Sequence, residues 1–248
     1  MIQSTVRQRL DKVIVARGLA PRRSPAERMI KLGDAFVNAQ PVQKPGFLVT
    51  PDDRITLSRT ENYVSRAGRK LASVAAALDV QFDGKVVLDI GSSTGGFTDY
   101  ALRHGAKKVI AVDVGTDQLH PRLRGHARIE LHEKTDIRHF YTDDSIDLIV
   151  GDVSFISLRD ILPHVAKNLM QPQTILVAMV KPQFEAGRQV AHKGVIKNDT
   201  IRRRILTHFE EWARRYFVVL AKQDSRVAGA KGNLERFYKL RRASYRER

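Results

Sequence analysis

Cysteine is missing from all 248 residues. Disulfides and cysteine-ligated metals are therefore excluded. No apolar run approaches the ~20 residues that span a bilayer as a helix, and the opening MIQSTVRQRLDK has no apolar centre like that of a signal peptide. Cytoplasmic localisation without a membrane partner is the simplest expectation. His104, His120, His126, His132 and His139 are scattered and show no H-E-x-x-H spacing, so no metal site is expected. Internal repeats and low-complexity tracts are absent as well.

Acidic charge is scarce: 43 Lys and Arg stand against 27 Asp and Glu. The excess is uneven. Residues 1–60 carry 11 basic and 5 acidic side chains, residues 61–200 carry 18 and 17, and residues 201–248 carry 14 and 5. A nearly neutral centre with basic flanks suits a catalytic middle with polyanion-binding surfaces. Nucleic acid fits this better than an anionic membrane, because no stretch pairs a basic face with a large apolar one.

Near the N-terminus, Val6, Leu10, Val13 and Ile14 recur at helical spacing, and Gly18 stops the pattern. A second helix is expected to open at Ser24-Pro25-Ala26-Glu27, with Ser24 and Glu27 forming a capping box, and to close at Gly33. Short strands are expected at 35–38, 47–49 and 54–57, with a turn at Asp52-Asp53. Arg9, Lys12, Arg22, Arg23, Arg28 and Lys31 line the two helices as candidate RNA-binding residues. The stretch RLDKVIVARGLAPRRSPAERMIKLGDAFVN resembles the RNA-binding module first described in the fourth small-subunit ribosomal protein, the S-four domain. That family usually has Gly after the hairpin Asn; here Ala39 follows Asn38. The expected organisation is an S-four-like domain over 1–58, a linker RTENYVS over 59–65, and a second domain over 66–248.

In that second domain helix-like and strand-like runs alternate. Strands are expected at 85–91, 108–114, 129–131, 146–152 and 174–181, with two more at 217–221 and 236–240. Helices are expected at 97–104, 161–170 and 201–216, and Leu71, Val74, Ala75 and Leu78 mark another. Trp212 falls on one apolar face with Ile201, Ile205 and Phe209, so it reads as core. Strands separated by helices imply an α/β fold, mostly parallel and covered on both faces. Ligands of such sheets bind beyond the carboxyl ends of the strands.

The residues at those ends agree with one another. Asp89-Ile90-Gly91-Ser92-Ser93-Thr94-Gly95-Gly96-Phe97 follows the first strand. It is neither G-x-G-x-x-G nor a phosphate loop with its lysine, so dinucleotides and nucleoside triphosphates fit poorly. Asp113 ends the second strand, where an acid can take ribose hydroxyls. Asp136 follows the third and can accept from an adenine amino group, and Asp152 follows the fourth. Singly, each acid reads more simply as a turn or cap residue. Together with Asp89, Gly91, Ser93, Gly95, Gly96 and Phe97 they suit a nucleoside without phosphates, such as S-adenosylmethionine.

The set YVSRAGRKL, LDIGSSTGGFTDYAL, AVDVGTDQL, DVSFISL, VKPQFEAGR and GNLERF resembles the TlyA/haemolysin-A-like ribosomal RNA methyltransferases, over essentially the whole chain. Their catalytic domain is FtsJ-like. The resemblance implies a seven-stranded class I methyltransferase (Rossmann-like) sheet and S-adenosylmethionine as cofactor. It implies methyl transfer to a ribose 2′-hydroxyl, at a cytidine, with ribosomal RNA or a ribosomal subunit as partner. It also implies a Lys-Asp-Lys-Glu tetrad, which falls on Lys70, Asp152, Lys181 and Glu235. Glu185 has no part in it and reads as structural or substrate-positioning.

The chemistry is coherent with that implication. A 2′-hydroxyl becomes a nucleophile once its proton is removed or tightly held. A lysine can take that proton only if its pKa falls well below about 10.4, as burial and neighbouring cations arrange. Lys181 ends a buried strand and Pro182 stops that strand. Three rival readings have weaker support. Amino-group methylation favours an Asn/Asp-Pro-Pro-aromatic loop where this chain has Asp152-Val153-Ser154-Phe155, and C5 methylation needs the absent cysteine. A non-enzymatic assembly factor would have no use for a tetrad. A pore-former would need spanning helices or barrel strands.

Overall fold

The computed structural model describes residues 7–57, 63–186, 195–196, 198–229 and 232–243, without the side chains of Arg28 and Leu32. Val6, positions 59–62 of the expected linker and the Arg28 side chain therefore lie outside the described residues. The chain divides into two compact units, residues 1–62 and 63–248.

The first unit begins with β1 (Gln8–Arg9), α1 (Leu10–Ala16) and α2 (Arg23–Leu32). It continues through β2 (Ala35–Val37), β3 (Gln40–Val42), β4 (Leu48–Val49) and β5 (Ile55–Leu57). Its three-stranded sheet runs β3-β2-β5, and β1 pairs with β4. Leu10, Ile14, Ala26 and Ile30 from the helices pack with Ala35, Val37, Val42, Val49 and Ile55.

Helix α2 starts earlier than expected. Arg22 is its N-cap, with no side-chain cap, so the Ser24–Glu27 capping box is not formed. The first turn is anchored by Arg23 instead, whose Nε lies 2.9 Å from the buried Asp11 and 3.1 Å from Glu27. Gly33 closes the helix at φ 82°, a left-handed cap suited to glycine. Strand β3, which contains Pro41, is not among the strands expected from the sequence. Proline is accepted there because β3 is an edge strand. Asn38 and Ala39 form the two-residue hairpin between β2 and β3, both at positive φ (49° and 65°).

The second unit contains α3 (Arg66–Ala75), β6 (Val86–Ile90), α4 (Gly96–Arg103), β7 (Lys108–Val112), β8 (Ile129–His132) and β9 (Leu148–Gly151). Then follow α5 (Leu158–His164), β10 (Ile175–Val180), α6 (Pro182–Glu185), α7 (Asp199–Ala213), β11 (Phe217–Asp224) and β12 (Arg236–Arg242). A 3₁₀ turn spans Ile137–His139. Past α5, Val165–Leu169 wind as a π turn, so the helix expected over 161–170 starts earlier, at Leu158, and is less regular in its second half. Pro163 lies inside α5 and lacks the N–H that a regular helix would use there.

The seven strands form one sheet in the order β11-β12-β10-β9-β6-β7-β8. Strands β6 to β10 pair with one another in parallel, and β12 runs antiparallel to both β10 and β11. Apolar cores cover both faces. Trp212 packs against Phe209 and Tyr216, whereas Ile201 is 40% exposed and off the core. This is a Rossmann-like sheet. Its order reverses at β6, which lies between β7 and β9, and a crevice opens at such a switch point.

Candidate active site

The crevice opens where the sheet reverses. Strand β6 delivers Asp89 and the Gly91 loop, β7 delivers Asp113, β9 delivers Asp152 and β10 delivers Lys181. Pro182 takes the first position of α6, so Lys181 ends the strand in extended conformation as the helix N-cap.

Two cavities share this edge. The outer one, about 450 Å³, is walled by Gly91, Ser93, Asp113, Asp136, Asp152, Phe155 and neighbours. The inner one, about 120 Å³, is walled by Asp89, Gly91, Ser92, Ser93, Phe97, Asp152, Ser154 and Lys181, among others. Gly91, Ser93, Asp152 and Ser154 border both, which makes them one cleft.

Backbone geometry explains the glycine at 91. Its φ is +77°, and a Cβ would sit 3.0 Å from the Asp152 carbonyl oxygen. Gly95 and Gly96 do not border the cleft. A Cβ at Gly95 would strike Leu119 and Leu123, and one at Gly96 would strike Ser65 and Ala67. Those two glycines shape the packing behind the loop.

The acids differ in their surroundings. Asp89 is buried; Thr98 Oγ1 donates to its Oδ2 at 2.6 Å, while its Oδ1 has no partner. Burial pushes this carboxyl up to about 7, against the Thr98 hydrogen bond. Asp113 accepts from Ser93 N at 2.8 Å and Gly115 N at 2.7 Å, fixing the loop opposite β6. Asp136 accepts from Arg138 N and pairs with the Arg138 guanidinium at 2.6 Å, which lowers its carboxyl to about 2. It both caps the short 3₁₀ turn and walls the outer cavity.

The four candidate catalytic residues form two ion pairs. Lys181 Nζ lies 2.6 Å from Asp152 Oδ1 and Lys70 Nζ lies 2.5 Å from Glu235 Oε2. Both are close, largely buried ion pairs. Burial raises the Glu235 carboxyl, and Lys70 opposes the rise. Asp152 and Lys181 also act on Glu235, so the two pairs form one electrostatic cluster. Gly229 makes room for Glu235: a Cβ there would approach Oε1 to 2.7 Å.

Two residues at the site escaped the sequence reading. Ser154 Oγ accepts from Lys181 Nζ at 2.6 Å. Phe155 is 93% exposed at φ +66°, with its ring 5.4 Å from that of Phe184. Exposure of a large aromatic on a strained backbone was the missing signal, and no sequence pattern carries it. Glu185 accepts from Ser157 Oγ at 2.7 Å and Leu158 N at 2.8 Å, so it ties α6 to the start of α5.

In the first unit, Arg9 and Arg23 both bond the buried Asp11. Lys12, Arg22 and Lys31 are exposed.

The Lys181–Asp152 pair borders the cleft of this Rossmann-like sheet, and the Lys70–Glu235 pair lies outside the residues that wall it. Residues 63–242 match the FtsJ-like methyltransferase family, and residues 8–55 match the S4 domain. The chain belongs to the FtsJ-like methyltransferases and carries an S4 domain ahead of the catalytic part. It is 35% identical to the 16S/23S rRNA (cytidine-2′-O)-methyltransferase TlyA of Mycobacterium tuberculosis, over 95% of this chain and 90% of that protein. It is 38% identical to Hemolysin A of Brachyspira hyodysenteriae, over 92% and 97% respectively. The structure of a suspected hemolysin from Streptococcus thermophilus superposes with a TM-score of 0.72 at 34% identity, covering 97% of this chain and 90% of that one.

Proposed function

We propose that this enzyme uses S-adenosylmethionine to methylate a ribose 2′-hydroxyl of ribosomal RNA, at a cytidine. The observation that carries the reading is Lys181, nearly buried beside Asp152 in the same cavity as the partnerless oxygen of Asp89.

The cleft fits the cofactor. Asp89 Oδ1 is a buried acceptor without a donor, which an amino-acid ammonium would satisfy. Asp113 would take ribose hydroxyls, and Asp136 an adenine amino group. S-adenosylmethionine, when bound, supplies the electrophilic methyl group. Lys181 holds and removes the 2′-hydroxyl proton, with Ser154 and Asp152 fixing its amine. Lys70 and Glu235 extend the charge cluster and position the hydroxyl. Phe155 offers a ring face at the mouth, where a base can stack. The basic surface of the first unit holds RNA through phosphates and shape, and such a substrate places the reaction in the cytoplasm. Among the described residues no helix is long and apolar enough to cross a membrane, and none cluster as a metal site.

The test offers both ribosomal subunits and radiolabelled S-adenosylmethionine to the purified enzyme, then maps the label. Incorporation at a ribose is expected. Label on a base, or none, would sink the reading. Charge reversal at Lys12, Arg22 and Lys31 should weaken RNA binding and leave cofactor binding intact.

A further inference from the structure

A second concavity lies beside the active site, between α5, α6 and α7. Its volume is about 290 Å³, and Arg159, Arg204 and His208 converge on it beside Ile201 and Ile205. Arg204 and His208 are one turn apart on α7, so they share a face. Arg159 comes from α5, with its guanidinium carbon 6.0 Å above the Trp212 ring. Among the described residues Arg204 and His208 have no acidic partner.

Glu185 is the carboxylate on the wall of this pocket. Its oxygens already accept from Ser157 Oγ and Leu158 N, and Oε2 lies 3.5 Å from Arg159 Nε. It anchors Arg159 while leaving an excess of positive charge. Two guanidinium forks and an imidazole around a small concavity match the oxygens of a phosphate group.

The pocket is linked to the catalytic lysine through the chain. Helix α6 starts directly after Lys181 and ends at Glu185. One helical turn, ~6 Å along the axis, therefore separates the amine's backbone from the pocket wall. A ribose presented to Lys181 carries backbone phosphates at a comparable reach.

We propose that this pocket takes a backbone phosphate of the substrate RNA, beside the methylated nucleotide. The proposal rests on the RNA methyl-transfer reading above.

The test compares wild type with Arg204→Gln, Arg204→Lys and His208→Gln on the ribosomal subunit that wild type methylates. Both positions are exposed on α7, so melting temperatures should match wild type. Arg204→Gln is expected to raise KM for RNA about tenfold with kcat and cofactor affinity unchanged. The slope of log affinity against log salt should shrink by ~0.7–0.9, the signature of one lost phosphate contact. His208→Gln should act in the same direction more weakly, and Arg204→Lys should fall between wild type and Arg204→Gln, because it keeps the charge and loses the fork. Wild-type KM and salt slope in Arg204→Gln would overturn the proposal, as would a loss confined to kcat. A salt slope reduced as much by Arg204→Lys as by Arg204→Gln would also overturn it. Unchanged RNA affinity together with a lost response of the melting temperature to inorganic phosphate would reassign the pocket to a free anion. If wild type transfers no methyl to RNA, the functional reading fails, while RNA affinity and salt slope still judge the pocket by themselves.

Discussion

Lys70 Nζ and Glu235 Oε2 stand 2.5 Å apart, both side chains almost excluded from water. One belongs to α3 and the other immediately precedes β12, so the pair staples the first helix of the catalytic unit to its last strand. Removing one partner of a buried pair strands the other charge. Glu235→Gln should therefore destabilise the protein by ~3 kcal/mol or more. Adding Lys70→Met to it should recover much of that loss, because the orphaned ammonium is then gone. Urea unfolding of the two variants checks this; equal midpoints for wild type and Glu235→Gln would refute it.

Asp89 makes stability depend on pH with a definite sign. Its folded carboxyl lies at about 7, raised by burial, against an ordinary value of 3.8. Between about pH 4 and 7 the unfolded chain releases this proton while the folded chain keeps it. Stability contributed at this site therefore falls as pH rises through that window, by roughly 2–4 kcal/mol, and is level above it. Asp89→Asn removes the effect. Relative to wild type, the variant should gain stability on going from pH 4.5 to pH 8, read from urea midpoints. Parallel pH curves would contradict the burial argument.

Lys181 can act as a proton acceptor or simply as a charge, and two substitutions separate these roles. Lys181→Ala should lower kcat by ~10²–10⁴ or more, the usual range for a general base. Lys181→Arg keeps a cation near Asp152 but cannot give up a proton near neutral pH. If proton removal is the role, Arg should be as inactive as Ala. Cofactor affinity, measured by calorimetry, should stay near wild type in both. Substantial activity in Lys181→Arg would limit Lys181 to electrostatic positioning.

The strands of the catalytic unit were legible because buried parallel strands are continuous apolar runs. TILVAMVK yielded β10, and its end placed Lys181 at the cleft. The acids were legible because topology puts strand ends together. What the sequence hid depended on contacts between distant segments. Arg23, tied to Asp11, displaced the start of α2 from the expected Ser24 cap. Gly95 and Gly96 belong to a cofactor-loop pattern, yet their lack of side chains serves Leu119, Leu123, Ser65 and Ala67. Ser154 and Phe155 have no signature of their own. Only the folded loop brings one to the lysine and turns the other to solvent.

The hairpin joining β2 and β3 has a stabilising substitution within reach. Asn38 and Ala39 link Val37 to Gln40 with two residues, both left-handed. This is the geometry of a type I′ turn, for which Asn-Gly is the favoured pair. Asn38 suits its place: its amide donates to Asp53 Oδ1 and its oxygen accepts from Arg54 N. Ala39 at φ 65° bears the steric cost of a Cβ in the left-handed region, ~1–2 kcal/mol. Ala39→Gly removes that cost but adds freedom to the unfolded chain, which returns ~0.4–1 kcal/mol. The net expectation is a gain of about 0.5–1 kcal/mol in the first unit, with methyl transfer unchanged. Hydrogen exchange across residues 35–42 of the full chain reads the local change, with slower exchange expected in the variant. Faster exchange would mean that Asn38 and its partners, rather than the left-handed strain at Ala39, govern the hairpin.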